Sequence, residues 1–245
     1  MNQFPDKATI LKALQKGELK LQGQFLNSSN YTFLGSLSFE GLELDVVYKP
    51  TRGEQPLWDF PEGTLAKREV AAYQVSEALG WDLVPATVYR RQHAPLGAGS
   101  LQQFMDYDPE YHYFNFGEED KQRLRPVALF DLLVNNADRK AGHIFFDRQD
   151  HLWLIDHGIC FHVEDKLRTV IWDFAGEPIP AGLLADLERF QRELQDEQGQ
   201  VVQNLVSLLR LSEIAALRRR ARYLLESGCY PTPRGSRRPY PWPPI

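Results

Sequence analysis

The stretch NNADRKAGHIFF (135–146) places Asp138, Arg139, Lys140 and His143 within six positions, between an apolar helical pattern and a strand pattern. Charges gathered at a helix–strand junction form either a solvated turn or the working edge of a site. The rest of the chain weighs on that choice. The run LELDVVYKP (42–50) ends with Lys49, and a lysine held at a strand end can reach the phosphates of a nucleotide lying against a sheet. Glu69, twenty residues on, falls in the first half of the following helix pattern, where a carboxylate can fix the direction of the ammonium. Asp138 supplies a carboxylate suited to orienting an acceptor hydroxyl. Asp156, in LIDHG eighteen residues later, can supply oxygen for a divalent ion, and His143 stands five residues after Asp138, where a phosphoryl-transfer pattern places a second metal ligand. Each residue alone reads more simply as structure: a surface lysine, a solvated helix charge, a helix end, an ordinary turn. It is their order, Lys–Glu–Asp–(+5)–Asp, that matches the parts phosphoryl transfer requires.

Such residues need elements to position them. Ile10, Leu11 and Leu14 give a helix over 6–16. ELKLQGQFL (18–26) alternates Leu19, Leu21 and Phe25 against Glu18, Lys20, Gln22 and Gln24, which is the period of a half-buried strand. After the turn NSSN come YTFLGSLSF, the turn EG, and LELDVVYKP, reading as an antiparallel meander. Thr64 is placed to cap a helix running to Leu79, with Gly80 as its stop. WDLVPATVYR and SLQQFMDY complete a five-stranded sheet with one helix over 18–107. The remainder is mostly helical: 118–137, then the short strands HIFFD and HLWLID, then helices at 181–197, 199–210 and 212–227. The division is therefore an N-terminal lobe (1–107), a helical C-terminal lobe (108–228) and a Pro-rich end (229–245). That end has six prolines in seventeen residues and is expected to be a disordered tail. The fold class is α+β, a sheet lobe followed by a helical lobe.

DRKAGHI followed by LIDHG resembles the catalytic loop and metal-binding turn of phosphatidylinositol 3-/4-kinases, whose pattern runs D-R-H-N-x-N-I and then I-D-F-G. With YKPTRGEQPLWDFPEGTLAKREVAAY, the chain also resembles an uncharacterised bacterial group filed near that superfamily. The resemblance implies a bilobed protein-kinase-like fold over about 18–225, with ATP and Mg2+ or Mn2+ between the lobes. It implies that Lys49 contacts phosphate, Glu69 braces Lys49, and Asp138 is the catalytic carboxylate, with Arg139 and Lys140 as basic neighbours. It places His143 and Asp156 at the metal, Ser28, Ser29 and Asn30 at the tip of a phosphate-covering turn, and Gln103, Phe104 and Met105 at the interlobe hinge beside adenine. Three departures stand out. Lys140 occupies a lipid-kinase His position, His157 replaces the Phe of the metal turn, and His143 replaces Asn. Imidazole suits manganese or later metals better than magnesium.

With 245 residues, a net charge of −5 and two cysteines, the chain gives no reason to expect nucleic acid as partner, and a reduced, cytoplasmic setting is the simpler expectation. Its beginning lacks a signal-peptide pattern and no stretch has the length of a membrane span, so no stable membrane insertion is expected. Three readings follow. The first is an ATP- and divalent-metal-dependent phosphotransferase with an unknown acceptor, protein or small molecule. The second is a nucleotide-binding pseudokinase or regulatory module, favoured by His143. The third is a metallohydrolase using the Asp and His residues between 138 and 162. His162, Lys166 and Arg168 read as a mixed-charge loop with Glu164 and Asp165. Arg218, Arg219, Arg220 and Arg222 read as a solvated helix face, and Trp58, Trp153 and Trp172 as packing residues.

Overall fold

The structure is a computed structural model and describes residues 5–26, 29–233 and 238–245. Helix α1 (Lys7–Lys16) opens it, with the Asp6 carboxylate accepting from the Thr9 amide at 2.7 Å as its cap. Strands β1 (Glu18–Gln24), β2 (Phe33–Phe39) and β3 (Leu42–Pro50) form the meander that the alternation implied. With β4 (Thr87–Arg90) and β5 (Gly99–Gln103) they make an antiparallel sheet of order β1-β2-β3-β5-β4. Leu19, Leu37, Val46, Tyr48 and Leu101 are buried, and burial stabilises side chains of this size by about 1.5–3 kcal/mol each. A one-residue slip would turn each strand's buried set toward solvent, so burial fixes the register. Lys49 pairs with Ser100 and Pro50 with Gly99. A Cβ on Gly99 would lie 2.3 Å from the Lys49 carbonyl oxygen, so only glycine lets β5 close on the strand end that carries the lysine.

Helix α2 (Leu65–Leu79) is buried on most of its surface, Arg68, Glu69 and Ser76 included, because the sheet covers one side and C-terminal helices cover another. Thr64 does not cap it. The Thr64 hydroxyl donates to the Pro61 carbonyl at 2.7 Å, and the Glu54 carboxylate receives the Leu65 and Ala66 amides at 3.1 and 2.9 Å instead. A full negative charge serves an N-terminus better than a hydroxyl. Gly80, at φ 72°, ends the helix as expected.

The long helix expected over 118–137 is two helices, α3 (Glu118–Gln122) and α4 (Arg125–Val134). Pro126, lacking an amide hydrogen, fits the first turn of a new helix better than the middle of an old one. Asn135, at φ 55°, stops α4 before the charged loop. Strands β6 (Ile144–Phe146) and β7 (Leu152–Leu154) form a hairpin, and α5 (Ala181–Gln195), α6 (Gln200–Val206) and α7 (Leu211–Ser227) complete the C-terminal lobe. The α+β, bilobed architecture is the one expected. The Leu154 amide donates to the Leu83 carbonyl at 2.7 Å, and the Arg68 guanidinium in α2 is buried against Glu213 of α7, so both lobes are tied behind the cleft.

The Pro-rich end differs from the expected disordered tail at its described residues. Pro244 O accepts from the Ala141 amide at 2.8 Å, and Pro239 O accepts from the Thr169 amide at 3.0 Å and the Trp172 indole at 3.3 Å. Prolines cannot donate but present carbonyls freely, and here those carbonyls satisfy loop amides of the C-terminal lobe. Trp58 is not a packing residue. It is 91% exposed, with the Lys166 ammonium 4.8 Å from its ring centre. No helix among the described residues is long and apolar enough to cross a membrane.

Candidate active site

A cleft of about 550 Å³ lies between the sheet and the β6–β7 hairpin. Lys49 enters it from the end of β3. Its Nζ donates to Glu69 Oε1 at 2.6 Å and to Asp156 Oδ1, so one ammonium joins strand, helix and turn across more than a hundred residues of chain. Burial by itself would discharge Lys49; Asp156 and then Glu69 more than offset it and raise its pKa. The same contact holds Asp156 well below the ordinary carboxylate range, against a burial effect of opposite sign. Asp156 sits at φ 59°, a left-handed conformation that Asp tolerates better than most residues. Glu69 Oε2 in turn accepts from the His157 amide at 2.8 Å, which fixes the turn to α2.

The charged loop provides the opposite wall. Asp138 is held by its own amide donating to Asn136 Oδ1 at 2.9 Å. Burial lifts its carboxyl to about 6; Lys140, 3.7 Å away, pulls down and Asp156 pushes up. His143 places Nε2 3.2 Å from Asp156 Oδ2, while its Nδ1 accepts from the Lys140 amide at 3.4 Å. Burial lowers its pKa to about 4, so the ring is neutral at pH 7, with its proton on Nε2.

Arg139, expected beside the catalytic carboxylate, does not reach the cleft. Its side chain is fully buried, held by Asp131 through Nε at 3.1 Å and Nη2 at 3.0 Å, and it donates to Ile155 O at 2.8 Å and to His157 Nε2 at 2.7 Å. A guanidinium this desolvated belongs with its carboxylate, and Asp131 lies inside the lobe. The signal was present in the sequence as an acid inside the apolar helical run VALFDLLV.

Ser29 and Asn30 line the cleft mouth, with Asn30 Oδ1 accepting from the Gln55 amide at 2.7 Å; Ser28 lies outside the described residues. Gln103, Phe104 and Met105 line it at the interlobe crossing. The sequence reading missed the apolar floor, where Val47, Ile155 and the Tyr107–Phe145 pair, stacked at 3.9 Å, offer flat surface for a base. Aromatic residues of this kind carry no sequence mark that separates them from core.

Asp156 and His143, the two residues expected at the metal, face each other across the cleft at 3.2 Å. Among the described residues no group of three or more His, Cys, Asp and Glu could hold one. The histidines of 143–162 are dispersed, His151 on Asp82 O at 2.8 Å and His162 on Asp59 O at 3.0 Å. A carboxylate–imidazole pair suits a divalent ion that takes its remaining ligands from phosphate oxygens and water.

No family model matches the chain. It is 41% identical over 267 residues to protein Rv2133c of Mycobacterium tuberculosis (strain ATCC 25618 / H37Rv), covering 94% of this chain and 93% of that one. It is 34% identical over 136 residues to phosphatidylinositol 4-kinase gamma 4 of Oryza sativa subsp. japonica, covering 47% of this chain and 24% of that protein. In structure it is similar to the Golgi casein kinase with Mn/ADP bound, with a TM-score of 0.59 at 14% identity, over 98% of this chain and 80% of that one. That likeness establishes the kinase-like fold.

Proposed function

We propose, for a chain that belongs to the family of M. tuberculosis protein Rv2133c and has a kinase-like fold, that it is an ATP-dependent, divalent-metal-dependent phosphotransferase. The observation that carries this reading is the Lys49 ammonium bridging Glu69 and Asp156 at the base of a cleft that Asp138 also lines. Lys49, kept charged, gives the phosphates a fixed cation. Asp138 orients the acceptor hydroxyl and takes its proton, with Lys140 beside it for the transferred group. Asp156 and His143 would hold the ion, which when bound supplies positive charge against the phosphate oxygens. The mixed nitrogen–oxygen donor set favours manganese over magnesium.

Thermal denaturation with ATP and Mn2+ tests the reading. A nucleotide at 100 times its Kd stabilises by about 2.7 kcal/mol. The expected outcome is a clear upward shift for the wild type and little or none for Lys49→Ala; an undiminished shift in that variant removes Lys49 from the site. The pH dependence follows from Asp138. A base must be unprotonated to act, and burial has raised this carboxyl to about 6. The acceptor kcat/KM should therefore climb roughly tenfold per pH unit below 6 and level off above it. A profile already flat at pH 5 would assign the proton elsewhere.

One observation favours the alternative, a nucleotide-binding module without transfer. With Nδ1 accepting from the Lys140 amide, His143 turns a proton, not a lone pair, toward Asp156. Coordination by Nε2 requires giving up that arrangement. On this alternative His143→Asn raises turnover from near zero, and an active wild type that the substitution slows argues against it.

A further inference from the structure

A second cavity, of about 620 Å³, lies between α7, the end of α4, the segment 163–172 and residues 231–233 and 238–239, and its described lining shares no residue with the cleft. Its volume is that of a small-molecule site. Its wall is basic in a chain of net charge −5: Lys166, Arg168, Arg219, Arg220 and Arg238, against Asp165 as the one acid among the described lining residues. Lys166 is engaged by Asp59 at 3.3 Å and Glu164 at 3.5 Å. The four arginines make no ion pair among the described residues.

Arg220 shows that this is more than the solvated helix face its sequence suggested. Nε donates to Leu133 O at 2.7 Å and Nη1 to His162 O at 3.2 Å, while Nη2 is buried with no partner among the described residues. Two carbonyls thus hold the guanidinium in place, with the charges of Asp165 and Glu213 favouring it from a distance, and an unpaired buried donor is costly to keep. Arg168 is fixed from its backbone, its amide donating to Asn136 O at 2.9 Å and its carbonyl accepting from the Arg139 amide at 3.0 Å. Trp172, oriented by its bond to Pro239 O, and Tyr223 add flat apolar surface to the same wall. Planar guanidinium groups match phosphate and carboxylate oxygens in pairs, and the aromatic rings suit the body that carries them.

We infer that this cavity is a ligand site, separate from the cleft, for a small molecule bearing a phosphate or carboxylate group on a planar or apolar body. The inference does not rest on the phosphotransfer reading, because no residue of the cleft enters it. Calorimetric titration of the full chain with phenyl phosphate, benzoate and inorganic phosphate tests it, with phosphatidylcholine vesicles containing phosphatidylserine as a separate arm. Arg168 and Arg219 are exposed, so Arg168→Ala/Arg219→Ala leaves the core intact. Phenyl phosphate is expected to bind the wild type and Lys49→Ala equally and the double variant about tenfold or more weakly, since each lost charge-assisted bond weakens binding by about that factor. Benzoate should lose affinity in the same variant, and inorganic phosphate should bind more weakly than phenyl phosphate. Four results overturn the inference: no binding by any soluble probe, binding by vesicles alone, equal binding in the double variant, or loss of binding in Lys49→Ala, which would place the probe in the cleft.

Discussion

Asp156→Asn is expected to lower metal-dependent ATP turnover about a thousandfold, equivalent to roughly 4 kcal/mol of transition-state stabilisation. Asn is the informative replacement. It tolerates the left-handed backbone that position 156 adopts at φ 59°, keeps the side chain's size, and removes only the charge. With that charge go the carboxylate proposed to hold the ion and one of the two anions on Lys49. The ammonium stays paired with Glu69 at 2.6 Å, and Asp156 is 45% exposed, so the fold should lose little and the melting temperature should move by only a few degrees. Kinetics in saturating Mn2+ with a melting curve on the same sample check both halves. Turnover within threefold of wild type would dismiss the proposed role of Asp156. Loss of activity with collapse of the fold would show that the residue is structural first.

What could be read from the sequence about this site follows from how the parts are encoded. Lys49, Asp138 and Asp156 stand at or just beyond the ends of elements and Glu69 one turn into α2, so the elements' order places the four near one another once a sheet faces a helical lobe. Side-chain direction is not encoded that way. Arg139 sits between two residues of the cleft wall yet turns inward, because Asp131, eight residues earlier in α4, offers a buried carboxylate. The same blindness to distant partners explains Glu54, which caps α2 from outside the helix, and Trp58, whose size suggested packing but whose loop leaves it in solvent. For the Pro-rich end, composition implied extended chain, and its described residues form no helix and no named strand. It could not reveal that the bare carbonyls of Pro239 and Pro244 meet loop amides of the C-terminal lobe. The arginine run on α7 shows the same limit, since its pattern is that of a surface helix while the structure ties Arg218 to Leu194 O at 2.7 Å and half-buries Arg220.

The largest loss of stability is expected from Asp131→Ala. Both Asp131 and Arg139 are completely buried, and the carboxylate also accepts from Asn136 Nδ2 at 3.1 Å and Thr169 Oγ1 at 3.2 Å. One side chain thus organises α4, the loop carrying Asp138 and the segment after the Asp156 turn. Removing it strands a desolvated guanidinium, at a cost of about 3–5 kcal/mol. For a chain of this length that lowers the melting temperature by roughly 10 °C. The double replacement Asp131→Leu/Arg139→Met separates stability from positioning. An apolar pair of similar volume carries no stranded charge, so most of the stability should return. The bonds from Arg139 to Ile155 O and His157, which hold the loop against the Asp156 turn, do not return. The double variant should therefore melt near wild type yet turn over ATP far more slowly. If its activity recovers together with its stability, the buried pair is a dispensable strut and Asp138 is held in place by other contacts, the Asn136 side chain first among them.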